Sequence, residues 1–295
     1  MTLAVVARRF RAAGIDLRFD EPLSRHTTFR VGGTADAYCE PPSANALAEA
    51  VRICRDEGVG VFVLGGGSNV LFGDAGWRGV VVATRRIGGI TATATGLSAA
   101  AGESLSRLIA IAEHQGSKSL GFLAGIPGSL GGGLATNAGI AGRSLGDVVR
   151  GVTVLDEHNR IVKLLPDDCG FAYRTSAIRT RRLVVLSAEL AFDDQVYDPE
   201  ALLARRRITQ PIDVASAGCV FRNPPGRSAG ALIDRCGLKG FALGQAQISD
   251  KHANFIVNLG GATSAEICKL IDIVRQKVYN THQVSLDLEV EVVDG

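Results

Sequence analysis

The sequence has almost no excess of charge of either sign, because 32 basic residues stand against 30 acidic ones and leave a net charge of +2. Proteins that bind nucleic acid usually carry a pronounced basic surface, often with interleaved aromatic residues. The basic clusters at 181–182 and 205–207 are short and contain no aromatic residue. We therefore exclude nucleic acid as a partner and expect these clusters to form solvated faces or to contact a phosphorylated small molecule.

The six cysteines form no C-x-x-C pair and show no spacing typical of metal ligands. The first ten residues lack the apolar run and the charge order of a secretory signal. Both absences predict a cytoplasmic protein with reduced thiols and no metal site.

One uncharged stretch, residues 119–142, is long enough to span a bilayer. It contains Pro127, Asn137 and several glycines, which together disfavour a helix. We therefore predict a buried glycine-rich loop without a membrane span. The whole chain has 36 glycines, an excess that favours loops which approach a ligand with bare backbone.

Two glycine-rich loops are candidate ligand sites, LGGGSNVLF at 64–72 and GIPGSLGGG at 125–133. Neither contains the Gly-Lys-Ser/Thr of a Walker A motif. The first loop is no Rossmann fingerprint either, because the apolar residues after it favour a strand and not a helix. Backbone N–H groups in such loops can hold a pyrophosphate, but each loop alone is equally consistent with a simple turn.

Strand and helix patterns alternate along the chain. Before residue 195 they predict a helix over 44–58 capped by Ser43, a strand ending at the first glycine loop, a helix over 104–115, a hairpin over 148–164 turning near 157–159, and a strand over 181–192. Residues 195–212 predict a helical linker with a proline stop, and we place the domain boundary there.

The region after the linker predicts a smaller α/β unit. Its last helix begins with the capping pair Thr263 and Glu266. The terminal segment 284–292 alternates apolar and polar residues, which predicts one strand with Glu289 on its polar face.

A series of motifs now carries a family resemblance, namely HTTFRVGG (26–33), VLGGGSN (63–69), GIPGSLGG (125–132), NAG (137–139), YRTS (173–176), GCVFRNP (218–224), AGALIDRCGLKG (229–240) and KHANFIVN (251–258). In this order they closely resemble the UDP-N-acetylenolpyruvoylglucosamine reductases of bacterial peptidoglycan synthesis. The resemblance covers nearly the whole chain from about residue 24, and the spacing after Tyr173 is similar to that of the shorter of the family's two types.

The resemblance implies an α+β fold, with an FAD-binding domain of the vanillyl-alcohol-oxidase (PCMH) type followed by a smaller α/β substrate-binding domain. The implied boundaries are 1–23 for an N-terminal segment, 24–195 for the FAD-binding domain and 196–295 for the substrate-binding domain. It also implies noncovalent FAD, NADPH as co-substrate, and reduction of UDP-N-acetylglucosamine-enolpyruvate to UDP-N-acetylmuramate in a cytoplasmic monomer.

The implied reaction adds a hydride to one vinyl carbon and leaves negative charge on the other, delocalised into the carboxylate. Such a site needs a fixed cation at the carboxylate and an acid at the carbon. The family's arginine maps onto Arg174, and its C-terminal glutamate maps onto Glu289, although Leu288 replaces the proline often found before it. Cys219 stands where the family usually has a serine proton donor, and an ordinary thiol, with pKa near ~8.5, is a competent acid.

Further residues are implied by position in the motifs. The implied cofactor-binding residues are Arg30, Gly65, Gly66, Gly67, Ser68, Asn69, Gly125, Ile126, Pro127, Gly128, Ser129, Gly131, Gly132, Asn137, Ala138 and Gly139. The implied substrate-binding residues are Tyr173, Arg222 and Asn223. The sequence also departs from the family near Ala141, where a tyrosine is common, and one flavin-side packing contact depends on that position.

Two other functions stay open at this point. A flavin oxidase of the same superfamily would act on a sugar or alcohol with oxygen, but none of the five histidines is an obvious site for covalent flavin. A noncatalytic nucleotide-sugar-binding protein would have lost its acid at Cys219. Cysteines also commonly serve as small packing residues.

Overall fold

The structure is a computed structural model that describes residues 3–140 and 142–294, so the expectation attached to Ala141 lies outside the described residues. Within these residues the α-helices are α1 (Leu3–Ala12), α2 (Ala44–Asp56), α3 (Leu105–His114), α4 (Leu130–Ala135), α5 (Ala177–Thr180), α6 (Pro199–Thr209), α7 (Ala229–Arg235) and α8 (Ser264–His282). None of them is long and apolar enough to cross a bilayer within the described part of the chain.

The longer strands of the N-terminal two thirds are β1 (Arg18–Pro22), β2 (Thr34–Cys39), β3 (Val61–Leu64), β4 (Val70–Phe72), β5 (Trp77–Ala83), β6 (Ile90–Thr93), β7 (Gly96–Ala100), β8 (Gly139–Ile140), β9 (Arg143–Ser144), β10 (Val149–Leu155), β11 (Ile161–Leu164) and β12 (Val184–Ala191). Those after it are β13 (Ala215–Ser216), β14 (Ala242–Leu243), β15 (Ala246–Ile248), β16 (Ile256–Asn258) and β17 (Glu291–Val293). The larger sheets have the strand orders β1-β2-β5-β3, β11-β10-β12-β7-β6 and β13-β16-β15-β14.

The chain forms two compact units, each discontinuous in sequence. The first comprises the residues up to Phe19, Ala37–Gly66 and Gly79–Ala204, and the second comprises Asp20–Asp36, Gly67–Arg78 and the residues from Arg205 onwards. The division into contiguous domains at residues 24 and 196 stays a prediction.

In the first unit, strand β12 is buried on both faces and separates two apolar cores. Val184 and Leu186 face the core that contains helix α2, whereas Val185 and Ala188 face the core that contains α3 and α4. Val185 and Ala188 can share a face although they are three residues apart, because the register of β12 against β10 shifts between Val185 and Ser187. A nearly continuous apolar run suits a strand that is buried on both faces.

Helices α2 and α3 confirm the two predicted helices and the predicted Ser43 cap, and the structure adds Ser104 as the cap of α3. The hydroxyl oxygen of Ser43 accepts the N–H of Ala46 at 3.2 Å, and that of Ser104 accepts the N–H of Arg107 at 3.2 Å. The turns after these helices contain Gly58 and Gly116 at positive φ, as a glycine stop requires.

The predicted hairpin is also present, with Leu155 opposite Ile161. One carboxylate oxygen of Asp156 accepts the N–H groups of His158 and Arg160, and Asn159 adopts a left-handed φ of 63°. The predicted glycine-rich loop at 119–142 is interrupted by the short helix α4, which the sequence did not predict.

In the second unit, helix α8 packs on one apolar core through Ile267, Leu270 and Val274. The capping pair is confirmed: Thr263 Oγ1 accepts the Glu266 N–H at 3.1 Å, and Glu266 Oε2 accepts the Thr263 N–H at 3.0 Å. Helix α6 confirms the helical linker and buries none of its residues.

The single strand predicted over 284–292 is wrong. Only an isolated bridge at Leu288 and strand β17 are extended and paired, although Leu286 and Val290 are buried as the alternation requires. Residues near 288 pair with the segment around Phe221, whereas β17 pairs in parallel with β4. Pairing with two different partners divides the segment.

Candidate functional site

The two glycine-rich loops meet within the first unit. A Cβ atom on Gly66 would lie 2.7 Å from the Cα of Gly128, and one on Gly65 would lie 2.6 Å from the Ser129 hydroxyl oxygen. The contact of Gly66 is with backbone, so glycine is required there for the two loops to approach, whereas the contact of Gly65 is with a side-chain hydroxyl. The structure thus brings together two loops that lie about sixty residues apart in sequence.

The junction of the loops fits an anionic ligand. The N–H groups of Gly65, Gly66 and Gly128 donate to no residue in the part of the chain that the structure describes, and all three residues are partly exposed. Backbone N–H groups in glycine-rich loops that have no protein acceptor can bind phosphate oxygens. That Gly65, Gly66 and Gly128 hold the pyrophosphate of FAD stays a prediction.

The remainder of the second loop has a different use. The N–H groups of Leu130 and Gly131 donate to Glu103 and Ala101, and that of Gly132 donates weakly to the Ser129 hydroxyl. These bonds hold the loop on the first unit and leave Gly131 and Gly132 with no spare backbone donor. Ile126 packs partly against the core, and Gly125 and Pro127 are exposed.

Asn137 anchors the turn that carries Arg174. Its amide donates to the Ala172 carbonyl oxygen at 3.0 Å and its Oδ1 accepts the Gly146 N–H at 2.9 Å, with the side chain buried. Both ends of the side chain are thus engaged within the protein, and a role toward the cofactor stays a prediction. Ala138 is buried, and a Cβ on Gly139 would collide with the carbonyl oxygen of Arg143.

Arg174 has a strained backbone in a tight turn. Ala172 and Thr175 exchange both backbone hydrogen bonds, and Arg174 between them has a φ of 56°. A left-handed conformation is costly for a residue other than glycine and is common at functional sites. The guanidinium donates to the Gly139 carbonyl oxygen at 3.1 Å and lies 5.4 Å from the centroid of the exposed Tyr173 ring.

The second unit holds Cys219, Arg222, Asn223 and Glu289. The N–H of Glu289 donates to the Val220 carbonyl oxygen at 2.8 Å, and the N–H of Arg222 donates to the Asp287 carbonyl oxygen at 2.9 Å. These bonds pair the segment of the proposed acid, Cys219, with the segment of the proposed carboxyl group, Glu289. Both residues are half-buried.

Arg222 has an unsatisfied polar atom that suits an anionic ligand. Its Nε is buried and has no hydrogen-bond partner among residues 3–140 and 142–294. A buried donor without a partner is costly, and a ligand phosphate or carboxylate would satisfy it. The neighbouring Asn223 accepts the N–H of Ala229 at 3.0 Å through its side-chain oxygen, at the start of α7.

The remaining predicted cofactor residues in the second unit are Arg30, Gly67, Ser68 and Asn69. Arg30 is exposed with a left-handed φ of 56°, and a Cβ on Gly67 would collide with the carbonyl oxygen of His26. Ser68 and Asn69 are half-buried. No group of three or more potential metal ligands occurs among the described residues.

Sequence reasoning gave no role to one residue that binds the backbone next to Cys219. Asn254, in the KHANFIVN motif, is buried and makes hydrogen bonds to both backbone groups of Phe221. The signal in the sequence is an asparagine directly before the apolar run 255–257, because a side chain that such neighbours bury must be hydrogen-bonded.

Comparisons with known proteins agree over almost the whole chain. Residues 35–165 match the family described as an FAD binding domain, and residues 210–293 match the C-terminal domain of UDP-N-acetylenolpyruvoylglucosamine reductase. A protein named UDP-N-acetylenolpyruvoylglucosamine reductase from Heliobacterium modesticaldum is 42% identical, covering 98% of this chain and 93% of its own. One from Moorella thermoacetica is also 42% identical and covers 92% of each chain.

A solved structure shares the fold. The crystal structure of the UDP-N-acetylenolpyruvylglucosamine reductase from Thermus caldophilus is 32% identical, with a TM-score of 0.75 over 94% of this chain and 98% of that chain. The match confirms the α+β fold with an FAD-binding domain followed by the family's C-terminal domain.

Proposed function

The chain belongs to the UDP-N-acetylenolpyruvoylglucosamine reductase family, and on that premise we propose that it reduces the enolpyruvyl group of UDP-N-acetylglucosamine-enolpyruvate to form UDP-N-acetylmuramate for peptidoglycan synthesis. FAD bound noncovalently at the glycine loops would supply the hydride, drawn from NADPH. We place the reaction in the cytoplasm, in keeping with six free cysteines.

The observation that supports this function best is the pairing of the Cys219 and Glu289 segments in the second unit. The bonds from Glu289 to Val220 and from Arg222 to Asp287 join the segment of the proposed proton donor, Cys219, to the segment of the carboxyl group of Glu289. The reaction requires a positioned acid and a group that stabilises the developing enolate, and both can be provided there.

Each of the three proposed catalytic residues has one task. Arg174 would bind the substrate carboxylate, for which its planar guanidinium is better suited than a lysine. Cys219 would donate the proton to the carbon next to that carboxylate. Glu289 would stabilise the enolate, which a carboxyl group can do only while it carries a proton that it can donate.

Binding of the nucleotide sugar falls to neighbouring residues. Arg222 has the buried, unsatisfied Nε and would contact the diphosphate, with Asn223 beside it. Tyr173 is exposed next to Arg174 and would pack against the substrate. A monomer stays the expected oligomeric state.

The activity can be tested on the purified, flavin-loaded protein. We expect NADPH to bleach the flavin under anaerobic conditions, and the enolpyruvyl substrate to restore its colour with one product molecule for each NADPH consumed. Oxygen consumption with free sugars, and no product from the enolpyruvyl compound, would indicate a flavin oxidase instead. Binding of the nucleotide sugar without product would indicate a noncatalytic protein.

A further inference from the structure

We propose that Asn254 is a positioning residue for the proton donor, because it fixes the backbone segment that follows Cys219. The inference rests on the proposed role of Cys219 and adds a residue that does not itself touch the substrate. Asn254 lies just before strand β16, is only 3% exposed and belongs to the same compact unit as Cys219.

Three hydrogen bonds join Asn254 to the two residues after Cys219. Its carbonyl oxygen accepts the Val220 N–H at 2.8 Å, its Oδ1 accepts the Phe221 N–H at 2.9 Å, and its Nδ2 donates to the Phe221 carbonyl oxygen at 2.8 Å. The side chain therefore does for Phe221 what a neighbouring strand would do, since it supplies one donor and one acceptor in one plane.

The other edge of the same segment is bonded to the backbone segment that carries Glu289. Val220 accepts the Glu289 N–H, and Arg222 donates to Asp287. Of the four backbone polar groups of Val220 and Phe221, Asn254 satisfies three and Glu289 the fourth. With both edges held, Cys219 is attached to a segment that has little freedom to move.

Only an amide meets these requirements. An aspartate at position 254 would place an oxygen against the Phe221 carbonyl oxygen, where the present donor lies at 2.8 Å. A leucine of similar size would leave the N–H and the carbonyl of Phe221 without partners, although Phe221 is buried. Either change would shift the segment, and shifts of about 1 Å in a reacting group can lower a rate roughly 10²-fold.

His252 supports the backbone of Asn254 in turn. Its Nδ1 accepts the Asn254 N–H at 3.2 Å, and its carbonyl oxygen accepts the Phe255 N–H at 2.9 Å. The His252 ring also packs edge to face on Phe255, with 5.0 Å between the ring centroids. These contacts hold the backbone of Asn254 in place and so help to orient its side-chain amide toward Phe221.

The test compares Asn254→Leu and Asn254→Asp with Val278→Ala, a cavity substitution on α8 in the same apolar core that removes none of the hydrogen bonds of this segment. Flavin content and circular dichroism identify the folded variants, and two rates are then measured separately. We expect both Asn254 variants to lose roughly 10- to 100-fold in reoxidation of the reduced flavin by the enolpyruvyl substrate. Bleaching of the flavin by NADPH should stay within about twofold of the native rate in all three variants.

A double-variant cycle with Cys219→Ala tests whether Asn254 acts through the thiol. Residues that work as one unit have non-additive effects, so Asn254→Leu should cause little further loss in the Cys219→Ala background. Full additivity, or an equal loss in Val278→Ala, would overturn the proposal. Failure of the proposed function is a separate result, because it would appear as absence of turnover in the native protein.

Discussion

The side-chain amide of Asn69 donates a hydrogen bond to the backbone carbonyl oxygen of Glu289 at 3.1 Å. The carbonyl oxygen of Asn69 accepts the Glu291 N–H at 3.0 Å, and from there β4 and β17 continue as a parallel pair. Asn69 is the last residue of the GGGSN motif. The end of the first glycine loop is therefore bonded directly to the segment that carries the proposed catalytic glutamate.

Replacement of this amide should affect Glu289. We expect Asn69→Ala to lower reoxidation of the flavin by the enolpyruvyl substrate about 10-fold and the free energy of unfolding by about 1 kcal/mol, the usual scale for one lost hydrogen bond. Stopped-flow kinetics and urea unfolding measure both. Asn45→Ala, an exposed position on α2, is the control. A native reoxidation rate in Asn69→Ala would show that this bond does not position Glu289.

Gly66→Val should yield colourless protein. Gly66 has no left-handed φ, so the effect would come from the new side chain and not from backbone strain. A Cβ 2.7 Å from the Gly128 Cα would push the two loops apart and remove the pyrophosphate site. The ratio of flavin to protein absorbance measures occupancy.

A suitable control for this change is Gly116→Ala, because Gly116 has a φ of 80° and open space around it. That variant should lose about 1 kcal/mol of stability and keep its flavin. Full flavin content in Gly66→Val would contradict the proposed cofactor site.

Arg174→Lys should be a severe change even though it keeps the charge. Lysine cannot offer the planar pair of donors that matches a carboxylate, so kcat should fall roughly 10²-fold, the scale of one lost stabilising donor. Bleaching of the flavin by NADPH should be almost unchanged. Arg181→Lys, in an exposed pair with Glu157, is the matched control. Slow bleaching with normal substrate reduction would assign Arg174 to the other half-reaction.

Cys219→Ala should retain bleaching by NADPH and lose roughly 10²–10⁴-fold in substrate reduction, the range expected for a missing general acid. Cys219→Ser should keep appreciable activity, because an alcohol can also donate a proton. Thiols ionise in the alkaline range and alcohols do not. The native enzyme should therefore lose activity at alkaline pH and the serine variant should not. Near-native turnover in Cys219→Ala would return this cysteine to a packing role.

Alkylation provides an independent test of whether activity depends on the Cys219 thiol. Burial raises the pKa of Cys54 to about 12 and that of Cys169 to about 11, so these thiols should resist iodoacetamide at neutral pH. We expect the reagent to inactivate the native protein and bound substrate to protect it. Cys236→Ser should be inactivated like the native protein, whereas Cys219→Ser should be spared.

His252 should make stability depend on pH. Burial, and then the positive charge of Lys239, lower the pKa of His252 below its ordinary value of 6.5. As the pH falls through that ordinary value, the unfolded chain binds the proton before the folded one, and the folded state loses stability. Above it both states are neutral and the stability is constant.

The comparison uses His252→Asn, whose side-chain oxygen can accept the Asn254 N–H as Nδ1 does. Its free energy of unfolding should fall less than that of the native protein between about pH 7.5 and about pH 5.5. His158→Asn, at an exposed turn position, should behave like the native protein. Identical pH dependence in His252→Asn and the native protein would contradict the assignment.

Features that depend on residues close together in sequence could be predicted before the structure. Ser43 as a helix cap, the Thr263–Glu266 capping box and the turn near Asn159 depend on side chains that bond to backbone within a few residues. Such interactions can be predicted from residues that are close together in sequence. The motif series likewise identified the family, because its motifs occur in the family's order along the chain.

Features that depend on contacts between residues distant in sequence could not be predicted in this way. The terminal segment alternates like one strand, yet pairing with Phe221 and with β4 divides it. Gly66 is required because Gly128 approaches it, and Asn254 matters because Phe221 lies beside it. Periodicity predicts which face of a strand is apolar, but not which other segment completes the hydrogen bonds of that strand. That choice follows from the packing of the whole unit.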